Sequence, residues 1–189
     1  CLIKSLSNSS LVSLLSGTYT LNGINYVYSG RFSELKANSK PSTHRKEFQP
    51  IAISTPINNV KFFKAGSPKI KILYGKRIID INLSSDLDKV LLSGGVLVDW
   101  HIRVEAPDSI SKELVSRYDS SLITSALTLS DMDVENISIE MNGGLLEDSV
   151  NFLRVKGIVS QIDISRSFQD ALDLDFSDLT IKKLIVEDA

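Results

Sequence analysis

The sequence predicts an all-β chain whose C-terminal part is a solenoid of stacked parallel coils. Three observations carry that expectation: the last third repeats itself, apolar residues alternate within each copy, and polar residues mark the corners between alternating runs. Leu127, Leu129, Ser130, Asp131, Met132, Val134, Ile137, Ile139 and Glu140 return in the same order and spacing as Leu174, Phe176, Ser177, Asp178, Leu179, Ile181, Leu184, Val186 and Glu187. A weaker copy stands between them, with Phe152, Val159, Ile162 and Ile164 at the equivalent places, after steps of about 25 and then about 22 residues.

Alternation places Leu127/Leu129, Ile137/Ile139, Leu172/Leu174/Phe176 and Leu184/Val186 on one face of short strands. Two such strands per copy, turned at Ser130-Asp131 and Ser177-Asp178, bury too little alone, so successive copies must stack about 4.8 Å apart. The expected interior ladders are Leu127–Phe152–Leu174, Val134–Val159–Ile181, Ile137–Ile162–Leu184 and Ile139–Ile164–Val186. A leucine-rich horseshoe would need a regular Leu-x-x-Leu-x-Leu signature with an Asn corner, which is absent.

The run Asp170-Ala171-Leu172-Asp173-Leu174-Asp175-Phe176-Ser177-Asp178 resembles the coils of right-handed parallel β-helix proteins, and Asp148-Ser149-Val150-Asn151-Phe152 repeats it one coil earlier. More loosely, residues 126–189 are similar to β-helix segments of bacterial surface proteins of the spore-coat-protein-H-like type. The resemblance implies an extracellular or cell-surface location and contact with polysaccharide. Handedness follows from the resemblance and from the rule for parallel crossovers, not from the pattern. The sequence stops at Val186-Glu187-Asp188-Ala189 with no polar terminal coil in view, so a longer solenoid is the expectation.

Length and composition suit a soluble chain with a real core, and there is no apolar run long enough for a transmembrane helix. The net charge of −2 conceals a polarity. Up to Arg77 there are twelve Lys or Arg against only Glu34 and Glu47, a balance of +10, which leaves −12 for the remainder. Either the halves neutralise each other, within or between molecules, or the basic half meets an anionic partner. Cys1 is the only cysteine, which excludes an intramolecular disulfide; it is either an arbitrary boundary or a lipid-bearing first residue, and only the latter would bring a membrane into play.

Taken in order, residues 1–105 read as an irregular, basic β region, either early coils or a small β domain, and 106–189 as a helix followed by the coils. Thr18–Leu21 and Ile24–Tyr28 flank Asn22-Gly23 as a β-hairpin. Residues 36–50, bracketed by Pro41 and Pro50 and holding His44, read as an exposed loop. Short β-branched runs follow at Ile51–Ser54, Val60–Phe63, Ile70–Tyr74 and Ile78–Ile81. Gly94-Gly95 precedes a strand over Val96–Val104, in which Trp100 and His101 face opposite ways; Trp100 is either core or an exposed platform for a sugar ring. Pro107–Tyr118 reads as a helix that covers an end or a side of the solenoid, with Asp108 or Ser109 as its cap and Ile110, Leu114 and Tyr118 on one face. Asn142-Gly143-Gly144 reads as a three-residue insertion lengthening the first coil.

The sharpest polar constellation is Asp170, Asp173, Asp175 and Asp178. With the leucines inward, Asp173 and Asp175 point outward about 7 Å apart, near the short limit for inverting glycosidase carboxylates. Asn151 is expected beneath Asp173 and Asp148 beneath Asp170. The strip is either a solvated face that discourages edge pairing or a binding surface for a glycan or for calcium, the one cofactor the residues admit. No phosphate loop, Cys/His metal spacing or nucleophile elbow occurs, and His44 and His101 have no recognisable partners. The reading is therefore a non-catalytic secreted or surface module whose partners are a polysaccharide or neighbouring subunits, without nucleic acid; Asp170, Asp173, Asp175, Asn151 and Trp100 are the candidate ligand-binding residues. The rival is a polysaccharide lyase or hydrolase acting through Asp173 and Asp175, which requires a groove where those acids meet Arg or Lys of other coils. A third possibility is an assembly whose basic and acidic halves pair head to tail.

Overall fold

The computed structural model describes residues 17–21, 24–28, 36–37, 48–85, 87–107, 123–144 and 146–188. The chain divides into two units, Cys1–Arg45 and Lys46–Ala189. In the first, strands β1 (Gly17–Leu21), β2 (Ile24–Tyr28) and β3 (Lys36–Ala37) form an antiparallel sheet, with Leu21 opposite Ile24 as a hairpin through Asn22-Gly23 requires. The predicted loop over 36–50 thus starts in β3 and ends in β4 (Gln49–Ile51); His44 lies outside the described residues.

The second unit is a parallel β-solenoid of about four coils. Its first coil comprises β8 (Lys89–Ser93), β9 (Val96–Val98) and β10 (His101–Glu105); the second comprises β11 (Ser125–Ser130) and β12 (Asp133–Asn142). The third is built from β13 (Asp148–Leu153) and β14 (Lys156–Ser165), and the fourth from β15 (Asp170–Asp175), β16 (Asp178–Ile181) and β17 (Leu184–Glu187). One sheet stacks β8, β11, β13 and β15 in parallel; the other stacks β10, β12, β14 and then β16 and β17. β7 (Ile78–Asn82) adds to β10 in parallel, so the winding begins well before residue 106. The N-terminal end is finished by antiparallel strands: β6 (Lys69–Leu73) on β7, β5 (Lys61–Ala65) on β8, and β4 on β5. The only helical element among the described residues is a single 3-10 turn at Tyr74–Lys76; the predicted helix over Pro107–Tyr118 falls, past Pro107, outside them.

Registers correct the expected ladders by two residues in one step. Leu127 pairs with Val150 and Leu129 with Phe152, so the first step is 23 residues rather than about 25; Phe152–Leu174, Val159–Ile181, Ile162–Leu184 and Ile164–Val186 stand as expected. A slip of two leaves every side chain on its own face, which is why alternation alone could not detect it. The loop at Asn142-Gly143-Gly144 is accordingly one residue longer than its counterpart at Arg166, not three. The interior is a column stack of Ile79, Ile102, Ile139 and Ile162, and of Val90, Leu127 and Val150, all solvent-free.

The corners share one backbone device. Gly94, Asp131, Arg154 and Phe176 each follow the last residue of the first strand of their coil and each adopt positive φ, between 52° and 72°. The amides of the first three donate up the stack, Gly94 to the Ser130 carbonyl, Asp131 to Leu153 and Arg154 to Asp175. The turn of the last coil is therefore Phe176 rather than Ser177-Asp178, and Phe176, expected inward, is 88% exposed. At the middle corners Asp131 accepts from Arg154 Nε and Nη2 at 2.6 and 2.8 Å, and these bonds, led by that guanidinium, hold its carboxyl down at about 2. Arg154→Ala is expected to return the Asp131 carboxyl toward the ordinary range near 3.8, which a carboxyl NMR titration reads directly.

Candidate functional site

Three surfaces hold chemistry. The first is the acidic strip. Asn151 lies beneath Asp173 and Asp148 beneath Asp170, as the repeat predicts. In the last coil the strip is solvated, with Asp170 and Asp178 exposed and Asp173 and Asp175 half-buried, but the coils beneath it are not. Ala126, Thr128 and Ser149, which alternation turns away from the core, are buried, and Asn151 is only 7% exposed. Asn151 Nδ2 donates to Asp175 at 3.1 Å and to Asp173 at 3.4 Å, while its own carbonyl oxygen accepts nothing. The second Asp173 oxygen accepts from the Leu174 amide at 2.8 Å. Asp173 and Asp175 are thus oriented by an amide, with no Arg or Lys donating to them among the described residues.

At the other end of the strip, Glu147, Asp148 and Asp170 bring carboxylate oxygens within 4.8 Å of one another. Asp148 is 3% exposed and accepts from the Thr124 hydroxyl at 2.6 Å. Burial pushes its carboxyl up to about 6, against the pull of that hydroxyl and with help from Glu147, Asp173 and Asp170. Three converging carboxylates are hard oxygen donors of the kind calcium draws on, and Asp148 and Glu147 are the members that the sequence reasoning did not name as ligands. The signal for them, the equivalence of Asp148 with Asp170, was visible in the repeat.

The second surface is the outer face of the sheet containing β7, β10, β12 and β14. Register places Lys71, Asp80, Arg103, Glu140 and Asp163 in one outward column. Arg103 Nε and Nη2 reach Asp80 Oδ1 at 2.6 and 2.5 Å. Beside this column Asn142 donates to Glu105 at 2.9 Å and accepts from Ser165 and Arg166. His101 does find partners: Nδ1 lies 2.7 Å from the Ser138 hydroxyl and Nε2 lies 3.5 Å from Glu140. Between these side chains runs an open groove of about 300 Å³, lined by Asp80, Asn82, Arg103, Glu105, Glu140 and Asn142.

The third is a shallower groove of about 230 Å³ lined by Pro56, Asn58, Tyr74, Arg77, Val98 and Trp100. Trp100 is buried at 7% exposure and meets Tyr74 edge to face, ring centroids 6.2 Å apart, so it floors the groove rather than standing out as a platform. Arg77 Nη1 is engaged with Asp99 at 2.9 Å and with the Val98 carbonyl. The five residues picked from sequence therefore fall in two places: Asp170, Asp173, Asp175 and Asn151 on one strip, Trp100 in a separate groove.

The fold defines the class: a parallel β-solenoid repeat protein. Compared with known families, curated proteins and solved structures, the chain matches none of them.

Proposed function

We propose that the chain is a non-catalytic scaffold module, extracellular or at a cell surface, whose faces and edges contact a polysaccharide or neighbouring protein subunits. The observation that carries this reading is the setting of Asp173 and Asp175. A catalytic pair needs a groove and a cationic or acidic counterpart, whereas these two accept from the Asn151 amide and lie in neither groove. The extended column of alternating charge from Lys71 to Glu140 suits repeated weak contacts with a long polymer better than one deep pocket.

The surface location and the kinship with spore-coat-protein-H-like proteins rest on the resemblance of residues 126–189, and a right-handed winding rests on that resemblance and the crossover rule. Neither nucleic acid nor a resident cofactor belongs to the proposal; a membrane enters only through a lipid on Cys1. Glu147, Asp148 and Asp170 offer oxygen donors of the kind calcium takes. A rise in melting temperature with calcium that Asp148→Asn abolishes would add it.

The rival, a polysaccharide-degrading enzyme, is favoured by one observation only, the meeting of Arg103 with Asp80, Glu105 and Glu140 around the larger groove. The test is a binding and turnover screen on acidic and neutral polysaccharides. Wild type and Asp173→Ala/Asp175→Ala are expected to show equal and negligible turnover. Cleavage lost in the double variant, or in Glu140→Gln, with the fold intact would make the chain an enzyme.

A further inference from the structure

Among the described residues the larger sheet ends in β6 at one edge and in β16 and β17 at the other, and the two edges differ in charge. At the N-terminal end β6 is the outermost strand of its sheet, with Lys69 and Lys71 exposed and Ile70 and Ile72 half-buried between them. From residue 48 to 79 the sequence holds Lys61, Lys64, Lys69, Lys71, Lys76 and Arg77 and no acid. At the C-terminal end β17 exposes Leu184 and Val186, 48% and 42% accessible, although both continue interior columns. From 170 to 188 there are six acids, Glu187 among them, against Lys182 and Lys183.

We propose that copies of this chain stack head to tail, β17 of one copy pairing with β6 of the next. The registers give the pairing a definite form. Ile79, Ile102, Ile139, Ile162 and Leu184 make one inward column, and β6 caps its foot with Ile72 opposite Ile79. Ile81, Val104, Met141, Ile164 and Val186 make the next, capped by Ile70. Antiparallel addition of the next copy's β6 sets Leu184 against Ile72 and Val186 against Ile70. The same register sets Glu187 against Lys69, an outward ion pair. Charged residues on an edge ordinarily block pairing, and here they block like with like. Two basic heads repel, two acidic tails repel, and only head to tail remains, a heterologous contact that propagates along the axis. On the other sheet the head edge is the three-residue β4 with Pro50 in it, so the contact runs mainly through β6 and β17.

This rests on the scaffold reading and is tested on the full chain by sedimentation velocity and negative-stain microscopy across concentration and salt. Apparent mass should rise with concentration and fall as salt screens the ends. Lys69→Glu/Lys71→Glu and Glu187→Lys should each weaken association roughly tenfold or more. Mixing the two variants should restore it, because the reversed charge at position 69 then faces the reversed charge at position 187. A monomer at every concentration, a closed dimer, or association indifferent to salt would overturn the proposal. So would association that survives the head reversal, which would show that β6 is not the surface that pairs. The two readings fail separately: a monomer overturns the stacking alone, whereas polysaccharide cleavage by the wild type overturns the scaffold beneath it.

Discussion

Gly157→Ala is expected to destabilise the solenoid by roughly 4 kcal/mol, lowering the melting temperature on the order of 10 °C. Gly157 sits in the register column of Val134 and Leu179, one residue into β14 after the Arg154 corner. Its φ of +124° is open to glycine and strained for any L side chain. A Cβ there would stand 1.9 Å from the Val134 carbonyl oxygen and 2.9 Å from its carbon. Neither atom can yield, because both belong to the backbone of the coil below, and the register shift between Glu135 and Ile137 follows immediately. The control is Gly75→Ala in the 3-10 turn, where a Cβ meets nothing within 4 Å and stability should change by no more than about 0.5 kcal/mol. A Gly157→Ala protein melting with the wild type would show that the third coil does not approach the second as closely as described.

The contrast between Gly157 and its neighbours shows where sequence reasoning reached and where it stopped. Inward residues were readable because burial imposes a period of two, so Leu127, Phe152, Ile162 and Leu174 fell on the correct face. The period of the first step was not readable, since slipping it by two costs the alternation nothing. That slip moved Phe176 from the corner to the interior on paper and hid the αL position shared by Gly94, Asp131, Arg154 and Phe176, four different residue types. The strand Lys89–Ser93 was missed for a related reason: Lys89, Val90 and Leu92 are all buried, so the run does not alternate polar with apolar. At the candidate site, repeat equivalence placed Asn151 under Asp173 and Asp148 under Asp170. It could not show that β11 and β13 are covered on their outer face as well, because burial from outside comes from contacts distant in sequence.

That cover makes Asp148→Asn a stabilising substitution. The Asp148 carboxyl stands at about 6 in the folded chain against 3.8 for an exposed aspartate. Below pH 4 it is protonated whether the chain is folded or not, and it costs nothing. Between pH 4 and 6 the unfolded chain releases this proton while the folded chain keeps it, so stability falls as pH rises. Above pH 6 the full penalty of the buried charge applies, about 3 kcal/mol from a shift of about two pH units. This is the reverse of the paired Asp131, whose contribution is present above pH 4 and fades as pH drops toward 2. Asparagine keeps an oxygen to accept from the Thr124 hydroxyl and carries no charge, so it retains the hydrogen bond and removes the penalty. In urea melts at pH 8 the variant should exceed the wild type by up to about 3 kcal/mol, and at pH 4 the two should coincide. Equal stabilities at pH 8 would mean that the Asp148 charge is already matched, and a bound cation shared with Glu147 and Asp170 is the match their geometry offers; the difference should then reappear when a chelator is added.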